Sequence, residues 1–196
     1  MQNRMIYYKD NASNYYNETV GLESISVPRD RFLSYIPKNS HILDLGCGSG
    51  RDSLYFKQQG YIVTALDQSE PLAALASQLI SQTVVVNSYQ TMNYTAQFDA
   101  VWACASLLHC PKNEIVPVFK NVIQALKPKG VWYMSFKFGT AETVDSMGRF
   151  FNNYTLESLQ QLVSQFKELQ IFDSWLETSE LRGHQQQWVN MLLKKV

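Results

Sequence analysis

Short apolar runs and longer stretches with apolar residues every three or four positions follow one another along the chain, the signature of strands alternating with helices. The first run, Ile42-Leu43-Asp44-Leu45, follows a Pro37–Ser40 lead-in and ends at glycines in alternate positions, Gly46, Gly48 and Gly50. Arg51 to Gln59 then reads as a helix with Leu54, Tyr55 and Phe56 on its apolar side, stopped by Gly60. Tyr61 to Leu66 predicts a second strand ending in Asp67, and Pro71 suits the first turn of a helix running to about Ser81. Thr83 to Val86, free of charge, predicts a buried strand. After a polar span from Asn87 to Ala96, Phe98 to Ala103 predicts a fourth strand in the middle of a sheet.

Asn113 is placed to cap a helix that carries Ile115, Val118, Phe119, Val122, Ile123 and Leu126 at helical spacing, with Pro117 in its first turn. Leu126 to Gly130 breaks that helix and turns into a fifth strand, Val131 to Phe136. Lys137 to Asn153 has no regular pattern. Thr155 to Phe166 restores a helical stripe, and Glu168 to Leu176 with Gln187 to Lys194 predict two closing strands joined by a polar turn containing Arg182 and Gly183. Near the start, Arg29 to Ile36 reads as a short helix after Pro28, with Phe32, Leu33 and Ile36 on one face. Residues 7 to 20 set Tyr7, Tyr8, Tyr15 and Tyr16 among polar residues, which suits a segment lying over a pocket better than one inside a core.

The 196 residues fit one domain large enough for a proper core. Lys plus Arg equals Asp plus Glu at 17 each, so no long-range field draws the chain to a phosphate backbone, and a nucleic-acid partner is not expected. Cys47, Cys104 and Cys110 are odd in number and lack C-x-x-C spacing, which predicts buried thiols rather than a disulfide framework or a metal site. Met1 to Asp10 has no apolar core and no apolar run approaches membrane length, so a cytoplasmic protein without a membrane anchor is expected.

The glycine run carries the chemistry. Glycines at a strand end let a ligand approach the main chain, and the helix behind them favours a polar or anionic ligand end. A dinucleotide turn would read G-x-G-x-x-G/A; here the pattern is G-x-G-x-G, and Arg51 stands where the last small residue would fall. Asp67, at the tip of the neighbouring strand, is placed to accept hydrogen bonds from ribose hydroxyls. Leu43-Asp44-Leu45-Gly46-Cys47-Gly48-Ser49-Gly50 followed by Asp67 resembles the S-adenosylmethionine-binding core of class I methyltransferases. Phe98 to His109 is similar to the fourth-strand segment of the branch that acts on small molecules. Gly50-Arg51-Asp52-Ser53 resembles a step in small bacterial enzymes related to tellurite-resistance methyltransferases.

That resemblance implies an α/β, Rossmann-like doubly wound fold, with a seven-stranded mostly parallel sheet and a C-terminal antiparallel hairpin. It implies one domain over residues 1–196, with 1–38 as lid and helix and 39–196 as the core, acting as a monomer or homodimer. Cofactor contacts then fall on Asp44, Gly46, Cys47, Gly48, Gly50 and Arg51 in the first loop and on Asp67 and Gln68 after the second strand. Ser88 and Tyr89 would meet the adenine, where no acid stands, and the Asn87 amide is a further contact. Ala105 to Leu108, Ala105 first among them, would line the cofactor and acceptor pocket, and Tyr15, in an Ala-x-x-Tyr step from Ala12, is the lid residue. Leu126-Lys127-Pro128-Lys129-Gly130 resembles the family's Leu-Lys-Pro-Gly-Gly turn, with Lys129 at a turn position.

Methyl transfer from a sulfonium is an in-line displacement, so such a protein mainly holds an acceptor atom about 3 Å from the methyl carbon and keeps water out. A base is optional: it helps a hydroxyl, whereas a thiolate, a metalloid oxyanion or a neutral amine carries its own lone pair. His109 is the catalytic candidate, and packing or capping ahead of Pro111 is its other reading. Lys137, Arg149 and Arg182 are candidates for a cationic wall facing an anionic acceptor or the cofactor carboxylate, or are surface charges. His41 and His184 look structural. The functional expectation is S-adenosylmethionine-dependent transfer to a small molecule or metalloid oxyanion, releasing S-adenosylhomocysteine. The alternative is a non-catalytic S-adenosylmethionine-binding module or partner subunit.

Overall fold

The computed structural model describes residues 6–22, 26–181 and 184–196. Two short helices open it, α1 (Ile6–Asp10) and α2 (Ala12–Thr19), followed by α3 (Ser26–Leu33). The alternation then begins with β1 (His41–Leu45), α4 (Arg51–Gln58), β2 (Ile62–Asp67), α5 (Glu70–Ile80), β3 (Val85–Val86) and β4 (Phe98–Ala103). A 3-10 turn over Leu107–His109 leads to α6 (Ile115–Ala125), β5 (Leu126–Lys137), β6 (Glu142–Val144) and β7 (Phe150–Asn152). The chain closes with α7 (Leu156–Val163), β8 (Leu169–Leu181) and β9 (His184–Lys195).

Among the described residues, seven strands form one sheet in the order β3-β2-β1-β4-β5-β9-β8. β1 to β5 pair in parallel, and β9 runs antiparallel between β5 and β8. Parallel strands are covered on both faces. On one face Ile42, Ala100, Trp102, Tyr133 and Leu192 pack with Phe32 of α3 and Phe56 of α4. On the other, Leu43, Val101, Trp132, Met134 and Leu193 pack with Phe119 and Val122 of α6 and Leu159 of α7. Strand order reverses between β1 and β4, which opens a crevice at their carboxyl ends, where ligands bind in sheets of this kind. No helix among the described residues is long and apolar enough to cross a membrane.

Several local expectations are corrected. The Val run predicted as a buried strand is two residues long and lies at the sheet edge; Val84 is buried but Val86 is exposed. An uncharged β-branched run reports strand propensity, while burial depends on having neighbours on both sides. Residue Glu114, not Asn113, precedes α6, and no side-chain cap forms there. α3 starts at Ser26, so Pro28 lies in its first turn, and it ends at Leu33 before Ile36. β5 begins at Leu126, where a turn was expected, and shifts register before Val131. Lys129 adopts φ +66° inside that segment, consistent with a turn position. The patternless stretch contains the antiparallel pair β6–β7, and both closing strands are longer than their apolar cores. Thr155 caps α7 instead of joining it: its Oγ1 accepts from Ser158 N at 3.2 Å, and Ser158 Oγ accepts from Thr155 N at 2.9 Å. Arg182 and its turn lie outside the described residues.

Candidate functional site

The loop after β1 is held on two sides. Gly46 N and Cys47 N donate to Leu66 O at 2.8 and 3.0 Å, fixing the loop to the end of β2. Gly46 has φ +79°, and a Cβ there would lie 2.5 Å from Ser106 Cβ, so the loop and the segment after β4 meet at a spacing that only glycine permits. Gly48, at φ +54°, donates its N–H to Asp67 Oδ2 at 2.8 Å. A Cβ on Gly48 would lie 3.3 Å from Tyr15 Cε1, so the α2 tyrosine sits directly over the loop. Asp67 Oδ1 accepts from Ser69 N at 2.8 Å. Burial pushes the Asp67 carboxyl up and those amides pull it back.

A pocket opens along this line. Its floor is Gly46, Gly48 and Leu66; Asp67, Gln68, Asn87, Ser88 and Tyr89 stand at the β2–β3 end. Ala105, Ser106 and His109 stand at the β4 end, with Tyr8, Tyr15 and Leu72 closing over it. Tyr15, Gly46, Gly48, Asp67, Gln68, Ser88, Tyr89, Ala105 and His109, all singled out from sequence, therefore share one cavity wall. Asp44, Cys47, Gly50 and Arg51 do not. Asp44 is buried behind the loop, where its Oδ2 accepts from Ser53 Oγ at 2.6 Å, and burial with the nearby Asp52 carboxylate pushes it up. Cys47 packs with Ala73 and Ala76 of α5, and its buried thiol is pushed up as well. Gly50, at the N-terminus of α4, lies against Ala76.

Arg51 is held by a partner beside it in sequence, its Nε and Nη2 donating to Asp52 Oδ1 and Oδ2, each at 2.9 Å, while its charge still acts on Tyr15. Asp52 also accepts from Trp102 Nε1 at 3.0 Å and Arg29 at 3.4 Å, forming a buried support under the loop. Ser88 Oγ bonds Thr91 Oγ1 at 2.8 Å, and Asn87 Oδ1 accepts from Ser88 N and Thr91 Oγ1. Arg149 is paired with Asp145, Nε and Nη2 each at 2.8 Å from its Oδ2. Lys137 Nζ lies 3.5 Å from the Phe151 ring centroid, and burial with the Arg149 charge lowers its pKa. Neither Lys137 nor Arg149 lines the pocket itself; both charges act on His109, which does.

Two pocket residues show in the structure a feature that their sequence positions do not carry. Ser106 is buried with an Oγ that has no protein partner. Tyr8, from α1, places its hydroxyl 2.8 Å from His109 Nε2, while His109 Nδ1 is 2.7 Å from Phe150 O. Burial lowers the His109 pKa to about 4, with the Phe150 contact opposing the change. Between pH 6.5 and 4 the unfolded chain therefore takes up a proton that the folded chain refuses, and stability falls as pH falls. Thermal denaturation at pH 7 and pH 5 should show about 2 kcal/mol of loss from this group. His109→Asn should flatten that part of the curve; parallel curves for the two proteins contradict it.

A doubly wound sheet of this strand order, with a glycine loop after β1, an acid ending β2 and a closing antiparallel hairpin, has the architecture of the class I methyltransferases. Residues 42–130 match the family model of a methyltransferase domain. Among curated relatives, YqeM of Bacillus subtilis, which carries a methyltransferase name, is 32% identical over 115 residues, covering 53% of this chain and 47% of that protein. The chain spans about half the length of the curated relatives it matches. Among solved structures, the Burkholderia thailandensis 1,6-didemethyltoxoflavin-N1-methyltransferase, holding 1,6-didemethyltoxoflavin and S-adenosylhomocysteine, superposes with TM-score 0.80 at 19% identity. That match covers 97% of this chain and 88% of the other. TehB of Haemophilus influenzae gives 0.70 at 20% identity, covering 96% and 67%. At such identities these likenesses establish the fold.

Proposed function

We propose that this chain binds S-adenosylmethionine in the pocket and directs its methyl group to a small-molecule acceptor. The carrying observation is Asp67: its carboxylate is clamped by the Gly48 and Ser69 amides at the tip of β2 and faces a cavity floored by bare main chain. The residues present fit such a nucleoside. Asp67 would accept from both ribose hydroxyls, while the Asn87–Ser88–Tyr89 segment would border the adenine. Ser106, packed against Gly46 in the pocket wall, carries an orphan hydroxyl that a polar ligand atom would satisfy.

When bound, the sulfonium supplies an already activated methyl group. The chain's own share is to orient and to exclude water. Tyr8 and Tyr15 close over the loop from α1 and α2, anchored by Ser69 Oγ donating to Tyr8 O at 3.1 Å. Ser106 and His109 stand where an acceptor would approach from the β4 end, with Lys137 and Arg149 as the cationic border. Calorimetry should show S-adenosylmethionine and S-adenosylhomocysteine binding with no binding of NAD. Labelled methyl transfer to a metabolite panel then tests turnover. Binding without transfer to any acceptor would favour the non-catalytic module, and preference for NAD would overturn the proposal.

A further inference from the structure

The hydrogen bonds at the β4 end of the pocket have a fixed polarity. A carbonyl oxygen only accepts, so the 2.7 Å contact with Phe150 O places the proton of neutral His109 on Nδ1. His109 Nε2 is then a bare acceptor, and at 2.8 Å Tyr8 must donate its own proton to it. The Tyr8 oxygen is left as an acceptor only. The Arg149 charge lies near that oxygen, and its acceptor lone pair is left for the pocket that Tyr8 lines. A ligand atom meeting that oxygen has to be a donor, which an oxyanion or a thiolate is not.

We infer that the acceptor presents a protonated nucleophile, a hydroxyl, to the Tyr8 oxygen, and that Tyr8 hands its own proton to His109 Nε2 as the new bond forms. The inference rests on the pocket being the S-adenosylmethionine site. The acceptor oxygen bonds the methyl carbon while the old carbon–sulfur electron pair stays on sulfur, giving a neutral thioether. The acceptor proton moves to the Tyr8 oxygen, the Tyr8 proton moves to Nε2, and His109 ends as an imidazolium still donating from Nδ1 to Phe150 O. A weakly basic imidazole suffices, because the acceptor oxygen becomes strongly acidic only as it bonds carbon. The same weak basicity keeps Nε2 free of solvent protons at neutral pH. The charged and titratable groups facing His109 are Tyr8 from α1, Lys137 from β5, and Arg149 and Asp145 from the segment before β7.

The test uses 4-hydroxyphenylacetate, 4-mercaptophenylacetate and phenylacetate as probe acceptors, with Tyr8→Phe and His109→Asn variants. In calorimetry on the S-adenosylhomocysteine-loaded chain, the phenol should bind at least about fivefold more tightly than phenylacetate, a preference that Tyr8→Phe reduces. In turnover at pH 7, both variants should lose about 100-fold with the phenol and far less with the thiol, which is already ionised. The phenol deficit should close as pH approaches ~10, where the probe ionises by itself. Equal losses with phenol and thiol, a deficit that ignores pH, or a wild type that methylates the thiol alone would overturn the relay. Wild-type affinity for S-adenosylhomocysteine is read alongside: its absence sinks the assignment of the pocket, whereas retained affinity with any of those outcomes sinks the relay only.

Discussion

Gly46→Ala is expected to destabilise the chain by about 4 kcal/mol and to abolish ligand binding in whatever fraction stays folded. Two costs add. A side chain at φ +79° sits in the left-handed region, at roughly 1–2 kcal/mol. The added methyl would also lie 2.5 Å from Ser106 Cβ, an atom rooted in the backbone of the β4 segment, and overpacking of that kind costs about 1–3 kcal/mol. Relief requires separating the loop from Ser106, which moves two residues of the pocket wall apart. For a chain of this size, 4 kcal/mol corresponds to a fall in Tm of about 8–16 °C, readable by calorimetry or circular dichroism. The comparison is Gly60→Ala, also at positive φ (+87°) but with no atom within 4 Å of the added methyl, where only the backbone cost applies. Equal losses at the two sites would mean that contact with Ser106 does not constrain the loop.

Asp67→Ala is expected to weaken S-adenosylhomocysteine binding about 100-fold. Hydrogen bonds to a charged acceptor contribute roughly 1.5–3 kcal/mol each, and the ribose offers two hydroxyls. Removing the carboxylate also frees the Gly48 amide it accepts from at 2.8 Å, so the glycine loop keeps only its Gly46 and Cys47 bonds to Leu66 O at the end of β2. Asp67→Asn keeps one acceptor oxygen, sets its NH2 against the Gly48 or Ser69 amide, and should lose at least about tenfold. Isothermal titration of the three proteins decides the point. Unchanged affinity in the alanine variant would mean that the ligand does not lie along β2.

What was legible in the sequence follows from how local each signal is. The loop from Gly46 to Gly50 and the acid ending β2 are legible because a glycine spacing and a strand tip are written into a few consecutive residues. Arg51 shows the limit of that logic. Its position at the head of α4 points to the ligand, but its immediate neighbour Asp52 takes two of its donors in an ion pair. The hydrogen bond of Tyr8 could not be read in advance, because its partner His109 is 101 positions away and only the folded chain brings α1 against the turn after β4. Ser106 stands three residues before His109 in a segment already expected to line the pocket, but that its hydroxyl lacks a partner is a property of packing. The β6–β7 pair escaped notice because three-residue strands, one of them fully exposed, leave no period to read.

The most direct test is a crystal structure of the chain with S-adenosylhomocysteine. The expected density has both ribose hydroxyls within hydrogen-bonding distance of the Asp67 carboxylate, with the thioether beside Gly46 and Ser106 under the Tyr15 ring. A nucleoside seated anywhere else, or an occupied loop with Asp67 still bound only to main-chain amides, would contradict the account.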